Sequence, residues 1–303
     1  MTSPLVAAVD IGGTKTDAAL VRDGVVLTRT RAATPATDGA AAVLDTAAAL
    51  VRSLRGDPVA VGVGAPGLVD PGTGLVTAAT SSISDWTGVD VCAELAARLR
   101  RPSTVLNDVQ AFTLGEAVHG AGQDRRLVVG VAIGTGIGGG LALDGRLLVG
   151  RLGAAGHLGH LPVPQATGLP CPCGSTGHVE AIAAGPAIAA RYAHASGGPG
   201  TTLPRVVERA AAGDPAARHA LAVAGAALGT ALAGLANVLD PDLIVIGGGA
   251  AVPELLAAAA PAFAAGCMPV LGAVPLVPAG LGPDAALVGA ATHAAQTLWP
   301  GGS

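Results

Sequence analysis

Apolar residues recur along the chain with two periods. Over 38–55, 90–100, 109–119, 178–193, 204–211, 215–239, 252–265 and 285–298 they return every three or four positions. That spacing predicts helices, the first with Thr37 as N-cap. Short apolar runs near 59–63, 103–106, 127–133, 242–247 and 274–277 predict strands. "GGPGTT" (197–202) reads as a loop. Strands alternating with helices make an α/β chain.

Two stretches share a finer pattern. "VDIGGTKTDAALVRDGVVLT" (9–28) and "AIGTGIGGGLALDGRLLVG" (132–150) each read apolar run, Gly-Thr turn, alternating run, Asp-Gly turn, apolar run. Gly13-Thr14 precedes Asp23-Gly24 by the same interval as Gly134-Thr135 precedes Asp144-Gly145. Asp-Gly between apolar runs signals a hairpin. The repeat predicts two related α/β domains facing each other. It also argues against reading "GTGIGG" (134–139) as a dinucleotide fingerprint, because that motif needs a helix after its glycines and a hairpin is expected here.

Composition narrows the class. With 303 residues, 50% hydrophobic and 13% charged, the chain is long enough for two folded domains. Aromatics are only 2%, so Ala, Val, Leu and Ile must build the core. A net charge of −4 without a basic run argues against nucleic-acid or anionic-membrane partners. The N-terminus lacks a charged n-region and is broken by glycines, unlike a signal peptide. The apolar 220–239 stretch is rich in Ala and Gly, and reads as a buried helix rather than a membrane span. Four cysteines without a secretory signal suit a cytoplasmic protein whose thiols bind metal or lie buried.

Several motifs carry chemistry. "DIGGTKT" (10–16) puts a carboxylate, Asp10, at a strand end, followed by turn donors and Lys15, the only lysine of the chain. Phosphoryl transfer wants such donors for phosphate and a carboxylate for Mg²⁺; an ordinary hairpin with a surface lysine would read the same. "IGTGIGGG" (133–140) is a second candidate phosphate cradle. In "LNDVQAFTLGE" (106–116), Asp108 is either a base for an attacking hydroxyl or a helix N-cap. "GVGAPGLVDPGTG" (62–74) either lines a cleft or only turns, and "LIVIGGGA" (243–250) allows close approach of a ring or phosphate. Cys171 and Cys173 in "CPCGSTGHVE" are too close for a good mutual disulfide. With His160 and His178 they form a His₂Cys₂ set suited to structural zinc; the alternative is two satisfied histidines and two buried thiols.

"DIGGTK", "GAPGLVD", "ND", "GTGIGGG", "GHLGH", "CPCGSTGHVE" and "IVIGGGA" stand in the order found in the ROK family of sugar kinases and repressors, which the chain resembles from about residue 6 to its end. The resemblance implies the duplicated actin-like, ribonuclease-H-like ATPase fold, with two domains around a cleft. The first domain is expected at 1–118, with the helix 286–303 packed back on it, and the second at 119–285. It implies an ATP- and Mg²⁺-dependent kinase for the 6-hydroxyl of a hexose or N-acylhexosamine, and a homodimer. Asp108 is then the catalytic base. Gly67, Asn107, Asp108, His157, His160 and Glu180 contact the sugar. Asp10, Gly12, Gly13, Thr14, Lys15, Gly134, Thr135 and Gly136 serve the phosphates and Mg²⁺, and Gly247 and Gly248 border adenosine. Zn²⁺ on His160, Cys171, Cys173 and His178 holds the loop that carries Glu180.

Two residues depart from the family pattern. His178 stands where a third cysteine is usual, and His157 stands where kinases of glucose and N-acetylglucosamine usually carry Glu. "AGHLGH" and "VEAIAAG" are similar to the family's N-acetylmannosamine kinases, so that sugar is expected first, with glucose or N-acetylglucosamine as alternatives. Repressor members carry a helix-turn-helix ahead of the first phosphate loop. Here that loop begins at Asp10, so a DNA-binding regulator is not expected. A non-catalytic sugar-binding module is disfavoured by the intact Asp10 and Asp108.

Overall fold

The computed structural model describes residues 3–271 and 274–299. The strands are β1 Val6–Ile11, β2 Lys15–Arg22, β3 Val25–Ala33, β4 Ala60–Ala65, β5 Leu68–Val69, β6 Val76–Ala78, β7 Ser103–Asn107, β8 Leu127–Ile133, β9 Ile137–Leu143, β10 Arg146–Leu147, β11 Leu243–Gly247 and β12 Leu276–Pro278. The helices are α1 Ala40–Ser53, α2 Val91–Leu99, α3 Asp108–His119, α4 Glu180–Ala183, α5 Gly185–Ser196, α6 Leu203–Ala211, α7 Pro215–Leu239, α8 Pro253–Gly266 and α9 Ala285–Leu298.

Two five-stranded sheets share one plan, β3-β2-β1-β4-β7 and β10-β9-β8-β11-β12. In the first, β1 pairs antiparallel with β2 and parallel with β4, and β4 pairs parallel with β7. In the second, β9–β10 is antiparallel and β11–β12 parallel. The repeat read in the sequence is thus a repeated sheet, an α/β architecture with mixed strands.

The chain divides into two compact units. The first holds residues up to 130, 140–156 and 279 onward; the second holds 131–139 and 157–278. The first unit therefore extends past residue 118, because the far parts of the β8–β9 hairpin group with it.

In the first unit, β1 alternates faces. Ala7, Val9 and Ile11 join a core with α1, whereas Val6 and Ala8 join one with α9. Both faces are covered, so the strand reads as almost continuously apolar. Asp10 has the parity of Val6 and Ala8 and interrupts that run. Glycines let α9 come close: a Cβ on Gly62 would overlap the Ala290 carbonyl, and one on Gly289 would overlap that of Ala111 in α3. The C-terminal helix α9 packs against β1, β4 and α3 and ends at Leu298; the last part of the 286–303 helix read from the sequence, 300–303, lies outside the described residues.

In the second unit α7 packs against α8, and a Cβ on Gly225 or Gly229 would overlap α8 atoms. By length and composition α7 could cross a membrane, but its buried face, including Leu221, Leu228 and Leu232, makes it a core helix.

Three local expectations change. Gly39, not Thr37, is the N-cap of α1, and the Thr37 hydroxyl turns instead to Asp38. Asn107, not Asp108, caps α3, because its side chain sits one residue ahead of the first helical turn and reaches two amides. The helix expected over 178–193 is broken at Ala184, which is extended (ψ 153°), with Pro186 opening α5.

Candidate functional site

In the first unit the site begins at the C-terminal ends of β1, β4 and β7, where parallel strands release the chain into loops. Asp10 and Asp108 both abut Gly64. A Cβ built there would lie 3.6 Å from Asp10 Oδ1 and 3.6 Å from Asp108 Cα. Gly64 thus lies between the Asp10 carboxylate and the start of the helix that carries Asp108. Asn107 organises the junction: its Oδ1 accepts from the amides of Val109 (3.0 Å) and Gln110 (3.3 Å), while its Nδ2 donates to Gly67 O (3.0 Å). Gly67 has φ +100°, and Trp86 Nε1 donates to the preceding carbonyl of Pro66 at 2.9 Å. The "APG" loop is therefore pinned rather than a plain turn.

Capping by Asn107 leaves Asp108 at the first helical position, where its Oδ1 accepts from Val109 N at 2.9 Å. Burial pushes the Asp108 carboxyl up to about 6, against the pull of that amide. Asp10 goes higher, to about 7; burial contributes most, then the charges of Asp108 and Asp17, while Lys15 and Arg29 pull downward. Asp10 pairs across the strands with Asp17, a like-charge pair on one face. Asp17 stays ionised, its carboxyl held below the usual range despite burial, because the Nε atoms of Arg29 and Arg31 both donate to its Oδ1 at 2.8 Å. The strain of the pair therefore falls on Asp10. Asp17 is a further residue of this site; its one mark in the sequence is an acid at the head of the apolar run "DAALV" (17–21). Thr14 and Lys15 are exposed, and Gly12 N donates to Lys15 O (2.9 Å), which closes the turn.

In the second unit a second group of residues converges. Gly134, Thr135 and Gly136 join β8 to β9, with Gly134 N donating to Gly136 O at 2.8 Å. Gly248, φ +93°, follows β11, and a Cβ there would overlap the Ile133 carbonyl. That glycine is thus required by packing on this loop, and Gly247 is buried at the strand end. Glu180 opens α4 and accepts from Ile137 N at 2.7 Å.

His160, Cys171, Cys173 and His178 bring one ligand atom each to a point, all within 4.8 Å of one another. Cys171 Sγ lies 3.7 Å from His160 Nδ1, and Cys173 Sγ lies 3.3 Å from His178 Nδ1. Ligands of tetrahedral zinc, at about 2.0–2.3 Å from the metal, sit at such separations from each other. Two soft thiols and two imidazoles thus fit Zn²⁺. The chain reaches this arrangement through bridges Pro162–His178 and Pro170–Thr176 and positive-φ turns at Gly174 and Gly177. Cys171 Sγ also lies 3.7 Å from Glu180 Oε1, and the His157 ring stacks near His160 at 6.4 Å between centroids.

The structure thus groups Asp10, Gly67, Asn107 and Asp108 within one unit. It groups His157, His160, Glu180 and the second glycine loop within the other. A separate cavity of about 330 Å³ in the first unit takes in both Asp-Gly turns, with His119, Gln296 and Trp299 in its wall; none of the candidate site residues lines it.

Known proteins extend this picture. The model of the ROK family matches residues 6–297. The glucokinase of Thermotoga maritima is 33% identical over 260 residues, 80% of each chain. The N-acetylmannosamine kinase of Salmonella paratyphi A is 33% identical over 248 residues, 82% of this chain and 84% of that one. The ROK glucokinase of Streptomyces griseus, solved with glucose and AMPPNP, superposes with a TM-score of 0.81 at 33% identity, covering 96% of this chain and 99% of that one. With that fold, and with motif and match running nearly end to end, the chain belongs to the ROK family and is one of its sugar kinases.

Proposed function

We propose that this kinase transfers the γ-phosphate of ATP to the 6-hydroxyl of an N-acylhexosamine, N-acetylmannosamine first, with glucose or N-acetylglucosamine as the second reading. The observation that carries the phosphotransfer is Asp108. Its carboxyl is relieved of the capping duty by Asn107, raised to about 6 by burial, and placed at a strand end. Such a carboxylate is ionised at neutral pH yet basic enough to take the proton of an attacking hydroxyl. Asn107, Gly67, His157, His160 and Glu180 hold the sugar. Amides of the two glycine loops, 12–15 and 134–136, stabilise charge on the transferring group. Asp10 is the residue that would hold Mg²⁺, and the metal supplies charge neutralisation at the nucleotide phosphates.

His157 supports the sugar preference. Glutamate at that position would only accept hydrogen bonds, whereas an imidazole can also donate one, for example to an N-acyl carbonyl. The relatives named above divide between glucose and N-acetylmannosamine at the same identity. A structural Zn²⁺ on His160, Cys171, Cys173 and His178 is part of the proposal: four protein ligands leave no open position, so the ion holds the loop ahead of Glu180. A cytoplasmic homodimer rests on the resemblance alone, and light scattering of the purified protein tests the dimer.

The deciding experiment is a coupled assay of ADP release with ATP and a panel of N-acetylmannosamine, N-acetylglucosamine, glucose and mannose. The highest kcat/KM is expected with N-acetylmannosamine. A preference for glucose overturns the sugar assignment, and no turnover with any sugar overturns the activity.

A further inference from the structure

The break in the helix expected over 178–193 has a local consequence. Because Ala184 is extended, the Gly185 amide turns out of the helix and donates to Gly134 O at 3.0 Å. Five residues earlier, Glu180 accepts from Ile137 N at 2.7 Å. The short helix α4 therefore grips the second glycine loop at both ends, Gly134 on one side and Ile137 on the other. The fit leaves no slack. A Cβ built on Gly136 would stand 2.5 Å from Glu180 Oε2.

We propose that Glu180 is a positioning residue for the nucleotide side of the site as well as a sugar ligand. One carboxylate oxygen fixes the Ile137 amide, and with it the course of Gly134–Gly136. Sugar and nucleotide affinity are then coupled through α4. The proposal rests on the reading of Glu180 as a sugar contact and of loop 134–136 as a phosphate cradle. Its physical basis is a side-chain oxygen held at the Ile137 amide, a bond whose loss leaves that amide without its partner. Coupling of this kind is reciprocal: whatever sugar does for nucleotide affinity, nucleotide does for sugar affinity.

The test separates the two duties of one side chain. Binding of a non-hydrolysable ATP analogue with Mg²⁺ is measured by calorimetry without sugar, and sugar KM is measured separately. Glu180→Ala removes both duties: sugar KM rises and sugar-free nucleotide Kd weakens about tenfold. Glu180→Gln keeps an oxygen for Ile137 N but loses the anion. Sugar KM rises as before, while nucleotide Kd stays within about threefold of wild type. Equal nucleotide affinity in wild type and Glu180→Ala overturns the proposal and leaves Glu180 a sugar ligand only. If Glu180→Ala does not fold, Gly136→Ala addresses the same bond from the loop side. Its methyl displaces the carboxylate, so sugar KM must rise, and an unchanged sugar KM overturns the proposal. Failure of the kinase reading would look different: no sugar turned over by wild type, with nucleotide binding still weakened by Glu180→Ala.

Discussion

The two glycine loops occupy the same place in two sheets of the same strand order, yet their chemistry differs at each offset that matters. Aligned on Gly13-Thr14 and Gly134-Thr135, Asp10 corresponds to Val131, Lys15 to Gly136 and Asp17 to Gly138. The first loop carries its own charges. Its hairpin is long, and β3 reaches far enough for Arg29 and Arg31 to neutralise Asp17. The second loop carries none, and β10 is only two residues long. The chain is thereby released early into the irregular stretch that builds the His₂Cys₂ cluster. The second loop's carboxylate arrives from Glu180, 43 residues beyond Ile137 in sequence. The two halves thus share a backbone solution, glycine amides at a strand end, while their side chains differ: one half carries its own raised carboxyls, Asp10 and Asp108, and the other is supported from outside by Glu180.

That division makes its largest prediction at Asp108. Asp108→Asn should lower kcat about 10²–10⁴-fold with sugar binding largely retained, read by steady-state kinetics beside calorimetry. The same carboxyl sets the acid limb. It must be ionised to act, so kcat/KM of wild type should fall as pH drops through about 6. Substantial activity in Asp108→Asn would move the base elsewhere and dissolve the contrast.

Removal of zinc comes next and should strike only the second half's support. Metal analysis should find about one zinc per chain. Stripping it with a strong chelator should raise sugar KM and lower the melting temperature, by roughly 4 kcal/mol of stability where zinc stands at a thousand times its Kd. Unchanged stability and KM after complete removal would show the cluster to be four satisfied side chains.

Glycine-to-alanine exchanges sharpen the comparison. A Cβ on Gly159 would overlap the Ile137 carbonyl, whereas one on Gly13 meets Ser82 Cβ at an ordinary 3.4 Å. Gly159→Ala should cost about 1–3 kcal/mol and Gly13→Ala less than about 0.5 kcal/mol, by denaturant melts. Equal costs would mean that the second loop is no more tightly backed than the first.

The smallest effect lies in α9 of the first unit. Burial depresses His293 to about 4. Its neutral form contributes stability above the unfolded value of 6.5, and that contribution is lost as pH falls toward 4. His293→Gln should therefore melt higher than wild type at pH 5 and show no such gain at pH 8. A gain of the same size at both pH values would assign the effect to packing.

Much of this was legible in the chain itself. Hairpin turns, glycine loops and apolar periods are local signals, and they located nearly every strand and helix, the repeat, and the candidate ligands His160, Cys171, Cys173 and His178. Capping was less legible. Asn107 and Asp108 are both good caps by type, and only their backbone placement shows that Asn107 takes the role and frees Asp108. The break at Ala184 has a local mark in Gly185-Pro186, which the unbroken apolar period of 178–193 masked. At that break the Gly185 amide donates to Gly134 O, half a hundred residues away in sequence, a partner the sequence does not reveal. Asp17 and Ile137 were likewise invisible as site residues. One acts through arginines on the next strand and the other through a backbone amide, which carries no mark in residue type. The sequence by itself determined the elements, the duplication and the chemical inventory, because these depend on neighbours along the chain. Only the tertiary structure decided that Asp10 and Asp108 are raised while Asp17 is lowered, and which loop Glu180 holds, because burial, charge pairing and amide direction are set by residues distant in sequence.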